Sequence, residues 1–209
     1  MKKLIKYLIL ALVIALAGYK SVYFKKLGEV KAAATGKFDA ASFSKKIWEE
    51  QLPSKLDSAI ALTDLIRSIE TDPENAFAKH SNVLGIGNYR YSLVKTKATA
   101  AVINEDEIVL QINHADSLLI TRLATEFIYG NAIRDASKLV DIKDFTNTAD
   151  LNGISEELNK TVRNSILPVF KKEVKQGDTI EVVAAVEFNK EHIDFRNIEL
   201  IPVRLKIVH

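Results

Sequence analysis

A chain of 209 residues with 47% hydrophobic side chains and no cysteine can build a packed core, and it excludes disulfides, thiolate metal sites and a cysteine nucleophile. Its 29 basic and 27 acidic residues give a formal charge of +2, and three of the bases, Lys2, Lys3 and Lys6, sit at the N-terminus. Without them 26 bases meet 27 acids, a balance that lacks the basic footprint of a nucleic-acid-binding body.

Residues 1–24 read as a signal anchor. The lysines precede an uncharged, mostly apolar run from Tyr7 to Tyr19, and the stretch to Phe24 holds one further charge, Lys20. As a helix it nears the thickness of a hydrocarbon core, with Tyr7 at the inner border. Lys20 snorkels at the outer border beside Tyr19, Tyr23 and Phe24. Lysines before the run predict an N-in topology and place the remaining chain outside the cytoplasm. Two other readings compete. Ala15-Leu16-Ala17 fits a secretory cleavage site. Leu16-Ala17-Gly18 would suit a lipoprotein signal, but Tyr19 stands where the acylated cysteine belongs.

Residues 25–37 are small and polar and predict a tether, followed by a helical segment over 38–88. Asp39 caps a helix carrying Phe43, Ile47 and Trp48, which Pro53 is expected to stop. Leu56, Ile60, Leu65, Ile66 and Ile69 predict a second helix, and Asp72-Pro73 starts a third. Trp48 reads as a helix-packing residue.

Over 89–209 the pattern changes to that of a barrel. In 91–103, Val94, Thr96, Ala98, Ala100 and Val102 share one face, and Lys95 and Lys97 take the solvated one. Strands over 108–112 and 118–129 follow, then a loop containing "GNAIRDAS" and "DIKDFTNTAD". A helix from about 151 to 172 carries Ile154, Leu158, Val162, Ile166 and Phe170 as one apolar stripe. Strands with Ile180, Val182, Ala184, Val186 and Phe188, and with Ile201, Val203, Leu205 and Ile207, close the chain. The expected fold class is α+β: N-terminal helices packed on an OB-like antiparallel β-barrel of order strand–strand–strand–helix–strand–strand.

Catalytic patterns are sparse. His80, His114, His192 and His209 lack metal-ligand spacing, no Gly-x-Ser-x-Gly elbow occurs, and "GIGN" lacks the third glycine of a dinucleotide fingerprint. No metal, cofactor or catalytic residue is assigned. Two polar clusters stand out: Arg134-Asp135, and Asp144 with Thr146 and Asn147. One reading makes them loop ties and turn caps. The other makes them a pocket at the barrel end, with Arg134 facing an anionic or polyhydroxylated ligand.

Residues 129–168, "YGNAIRDASKLVDIKDFTNTADLNGISEELNKTVRNSILP", resemble the signature region of domain-of-unknown-function family 2291. The likeness lies in Gly130 to Asp135, the Asp-Phe-Thr-Asn block at 144–147, and a helix with Asn152 and Asn159; with flanking β segments it covers roughly residues 40–207. The resemblance implies a membrane-attached periplasmic lipoprotein, accessory to a sugar transporter or another envelope protein, with no catalytic residue assigned. The expected function is therefore a non-enzymatic binding or accessory module in the bacterial envelope. Its rivals are a hydrolase using Asp135, Asp141 and Asp144, and a purely structural spacer.

Overall fold

The computed structural model describes Tyr7 and residues 38–83, 87–114 and 117–208. The expected anchor and tether, including Tyr19, Lys20, Tyr23 and Phe24, lie outside the described residues; Tyr7 is exposed. Among the described residues no helix is long and apolar enough to cross a membrane. Residues 39–209 form one compact unit.

Helix α1 (Ala40–Lys46) starts on Asp39, whose carboxylate accepts from the N–H groups of Ala41 and Ser42. Pro53 does not stop it. A widened turn over Ile47–Gln51, closed by the Leu52 N–H on the Ile47 carbonyl, carries the chain into α2 (Leu52–Asp57). A second widened turn, Val162–Ile166, joins α6 (Thr148–Thr161) to α7 (Leu167–Glu173), again one residue ahead of a proline, Pro168. The extra residue shifts the backbone carbonyl that each proline ring would otherwise strike, so the helix axis continues.

The insertion also moves the buried stripe. Ile154, Leu158 and Val162 are buried as expected, but the next buried positions are Leu167 and Phe170, and Ile166 turns partly outward. The expected helix through 56–69 is likewise broken. After Asp57 the chain makes a two-residue strand β1 (Ile60–Ala61), parallel to β2, before α3 (Leu62–Thr71). Helix α4 (Pro73–His80) begins as expected, with Asp72 accepting from the Asn75 N–H at 3.1 Å.

Strands β2 (Tyr89–Ile103), β3 (Glu107–His114), β4 (Ser117–Ala124), β5 (Thr179–Asn189) and β6 (Glu199–Val208) hydrogen-bond in the cyclic order β2-β3-β4-β6-β5-β2. Only β4 and β6 run parallel among these pairs. With the helices between β4 and β5, this is the closed OB topology. β2 closes the barrel because its first part pairs with β5 and its last residues with β3. Gly177, at φ 91°, makes the left-handed turn into β5, and its N–H reaches the Ala100 carbonyl at 2.8 Å.

Two bulges correct the expected faces. The register of β2 slips between Ala100 and Val102, so Val102 is 45% exposed and leaves the face of Val94, Ala98 and Ala100. On β6 the pairing jumps from Arg204 to Pro202 across Val203, which separates Ile201 from the inner face of Leu205 and Ile207. β4 ends at Ala124 rather than 129, and "GNAIRDAS" is not a loop but α5 (Ala132–Ser137).

The core combines barrel and helices. Ile108, Leu110, Ile112, Ile180, Val182, Ala184 and Val186 fill the interior, and Leu62, Leu65, Ile66, Ile69 and Phe77 pack onto the same cluster. On the other side α1 lies on α6: Ser44 Oγ donates to the Ile154 carbonyl at 3.3 Å, and Phe43 meets Phe145 edge-on at 5.7 Å.

Candidate functional site

Gly130, at φ 79°, redirects the chain after β4, and α5 then wedges against β2, β5 and α6. Ile133 and Ala136 bury the apolar side of this short helix; Arg134 and Asp135 are buried as well. The Arg134 Nε donates to Asp135 Oδ1 at 2.6 Å, and Asn131 Nδ2 donates to the other carboxylate oxygen. Arg134 Nη1 donates to the Leu151 carbonyl at 3.0 Å, tying α5 to α6. Asn82 Nδ2 donates to the Asp135 carbonyl at 2.8 Å, and the Tyr91 hydroxyl contacts Asn131 Oδ1 at 3.5 Å. Charges taken out of water are tolerable only when paired and bonded in this way.

Above this network a cleft of about 370 Å³ opens between α5 and α6, lined by Gly130, Asn131, Arg134, Asn152, Ser155, Glu156 and Asn159. Every lining side chain is polar. Asn159 Nδ2 donates to the Gly130 carbonyl at 2.8 Å and fixes the cleft floor. Asn152 is exposed, and among the described residues its side-chain amide makes no hydrogen bond. Beside the cleft, Tyr129 is 61% exposed, with the Arg163 guanidinium 5.1 Å from its ring centre. Arg163 also pairs with Glu156 at 2.5 Å, so the rim is one linked unit.

Of the five expected site residues, the structure brings Arg134 and Asp135 together, and only Arg134 lines the cleft. Asp144, Thr146 and Asn147 are exposed outside it. Asp144 ends a single helical turn (Ile142–Asp144), and Asn147 caps α6 by accepting from the Asp150 N–H at 2.9 Å. The two clusters do not make a common pocket, because α6 begins at Thr148 and presents its polar side to α5 one turn later. Asp135, 2% exposed and held by Arg134 and Asn131, is not placed to activate a water beside Asp141 and Asp144. Asp141 accepts from the Lys143 N–H at 2.9 Å. Among the described residues no three His, Asp or Glu side chains gather as metal ligands.

The missed residues carried a readable signal. Asn152, Ser155, Glu156 and Asn159 recur at helical spacing, a polar stripe beside the apolar one of Ile154 and Leu158. Burial, and then Glu187 opposite it on β5, push the Tyr91 hydroxyl from 10.0 up to about 12. The fold thus favours the neutral phenol: its contribution is complete below pH 10.0 and is lost as pH rises through about 12. Tyr91→Phe is expected to flatten the fall in melting temperature across that window. Parallel alkaline profiles of the two proteins would assign the loss to another group.

The crystal structure of an OB-fold protein from Thermotoga maritima msb8 superposes with a TM-score of 0.69 at 26% sequence identity, covering 82% of this chain and 99% of that one. Among curated proteins no sequence matches. The family model described as predicted periplasmic lipoprotein (DUF2291) matches residues 12–206, from within the apolar N-terminal run to the last barrel strand, and the chain belongs to that family.

Proposed function

We propose that this chain is a non-enzymatic accessory protein of the bacterial envelope, whose α5–α6 cleft binds a small polyhydroxylated solute. The observation that carries the reading is the cleft lining, in which amides, a hydroxyl, a carboxylate and a guanidinium converge on about 370 Å³ beside an exposed tyrosine. Such a set offers both donors and acceptors to ring hydroxyls, and an aromatic face suits the apolar side of a sugar. The floor is rigid because Asn131, Arg134 and Asn159 are each committed to backbone or carboxylate partners. The family description favours a periplasmic site of action. The lysine-led apolar run supports a single-pass, N-in anchor in the inner membrane, since Tyr19 offers no thiol for a lipid. A sugar transporter or another envelope protein is the partner that suits this placement.

The test is a titration of the full chain in detergent with a panel of mono- and disaccharides, followed by amide NMR. Saturable shifts are expected at Gly130, Asn152 and Ser155. Asn152→Leu, which fills the cleft from an exposed position, should weaken binding by about tenfold or more, roughly 1.4 kcal/mol. A panel that leaves those amides unmoved would remove the proposal.

A further inference from the structure

Helix α5 borders a second cleft at its opposite end. Here the last turns of α2 and α4 and the residue closing α5 converge, enclosing about 400 Å³. Its polar lining is Lys55, Ser58, Lys79, His80, Ser137 and Lys138, over an apolar floor that includes Ile60 and Leu93. No carboxylate lines it, and among the described residues none of the three lysines facing this cleft makes an ion pair. Asp57, the acid nearest in sequence to Ser58, is engaged by Arg204 at 2.8 Å. In a chain whose bases and acids nearly balance, three ammonium groups and an imidazole thus share one concavity.

We propose that this cleft binds a phosphate-type oxyanion, either free or as the monoester of a small molecule. Both serine hydroxyls already donate to carbonyls, Ser58 to Lys55 and Ser137 to Arg134. Lys138 Nζ also donates to the Lys79 carbonyl at 3.3 Å, but an ammonium has two further protons, so the ligand is held by the ammonium groups and the imidazole. Compact point charges from several directions suit a tetrahedral polyanion, whereas a planar carboxylate is matched by the guanidinium fork that this cleft lacks.

The electrostatics of the cleft agree. Burial, and then Lys55, hold the Lys138 ammonium below its ordinary range. Burial, followed by Lys79 and Lys138, lowers the His80 imidazole. Lys55 stands in the last turn of α2, Lys79 and His80 in that of α4, and Lys138 closes α5. Each base thus also meets a helix C-terminus, a modest stabilisation per charge, and three helix ends aimed into one concavity are what gather the charges there. Lys138 moreover holds its place at φ 57°, the left-handed conformation where a helix usually ends in glycine.

The test uses the full chain in detergent, titrated with inorganic phosphate at constant ionic strength while the His80 ring is followed by NMR. A saturable response is expected, with the His80 pKa rising by about one unit as the bound anion offsets its like-charged neighbours. Lys138→Asn, which removes the charge but tolerates the left-handed backbone, should weaken phosphate binding by about tenfold, and Lys138→Arg should retain it. Lys55→Gln gives an independent loss of similar size at an exposed helical position. Glycerol 3-phosphate separates the sources. Tighter binding than phosphate assigns the apolar floor to the carbon part of an ester, and equal or weaker binding assigns the site to the free ion. A linear response that chloride reproduces, or binding unchanged in both Lys138→Asn and Lys55→Gln, overturns the proposal.

Discussion

Asp135→Ala is expected to lower the unfolding free energy by about 3–5 kcal/mol, the usual cost of leaving one member of a buried ion pair without its partner. Asp135 is 2% exposed and Arg134 7%. The substitution strands the Arg134 guanidinium, releases Asn131 Nδ2, and leaves Arg134 only the Leu151 carbonyl. The desolvation cost of the surviving charge then outweighs the loss of the single contact. Arg134→Met combined with Asp135→Leu removes both charges and should recover most of the deficit, since an apolar pair of similar volume is often neutral in such a place. Urea unfolding of the two variants against the parent decides the matter. A single-substitution cost below about 1 kcal/mol would mean that the pair behaves as a solvated one.

Phe188→Ala is the second large effect, also expected at about 3–5 kcal/mol. Phe188 lies on β5 and is 4% exposed, with Phe77 of α4 at 6.3 Å and Phe195 at 5.9 Å between ring centres. It therefore joins the helical segment to the barrel, and its removal opens a cavity that three separate elements cannot jointly collapse into. Trp48, the only tryptophan, stands in the turn between α1 and α2 and reports on the helical side by fluorescence, while circular dichroism at strand wavelengths reports on the barrel. Both transitions should move together to lower urea. A fluorescence midpoint that stays in place while the barrel midpoint falls would show that helices and barrel do not unfold as one unit.

The barrel was readable because its strands keep one face inside. Ile108, Leu110 and Ile112, and then Ile180, Val182, Ala184, Val186 and Phe188, alternate along the chain and are all buried. The misread faces fall where a single inserted residue breaks the period. The slip beyond Ala100 turns Val102 out, the extra Val203 separates Ile201 from Leu205, and the wide turn at Val162–Ile166 exchanges Ile166 for Leu167. An inserted residue changes which way every later side chain points without changing composition, so it becomes visible only against a partner strand or helix.

The candidate site divides in the same way. Arg134 and Asp135 stood out as charges directly after a strand, and Asn147 reads as a cap from its place before α6. That Arg134 and Asp135 pair below a cleft, while Asp144, Thr146 and Asn147 stay outside it, depends on how α5 packs.

The sequence by itself determined the order of the five barrel strands and the long helix among them, together with the absence of any thiol and the lysine-led apolar run. These are properties of neighbouring residues, written in local period and composition. Tertiary structure alone decided which polar groups meet. Asn131 and Asn159 line a cleft at one end of α5, and Lys55, Lys79 and Lys138 line one at the other, because separate helices pack around α5 in the folded chain.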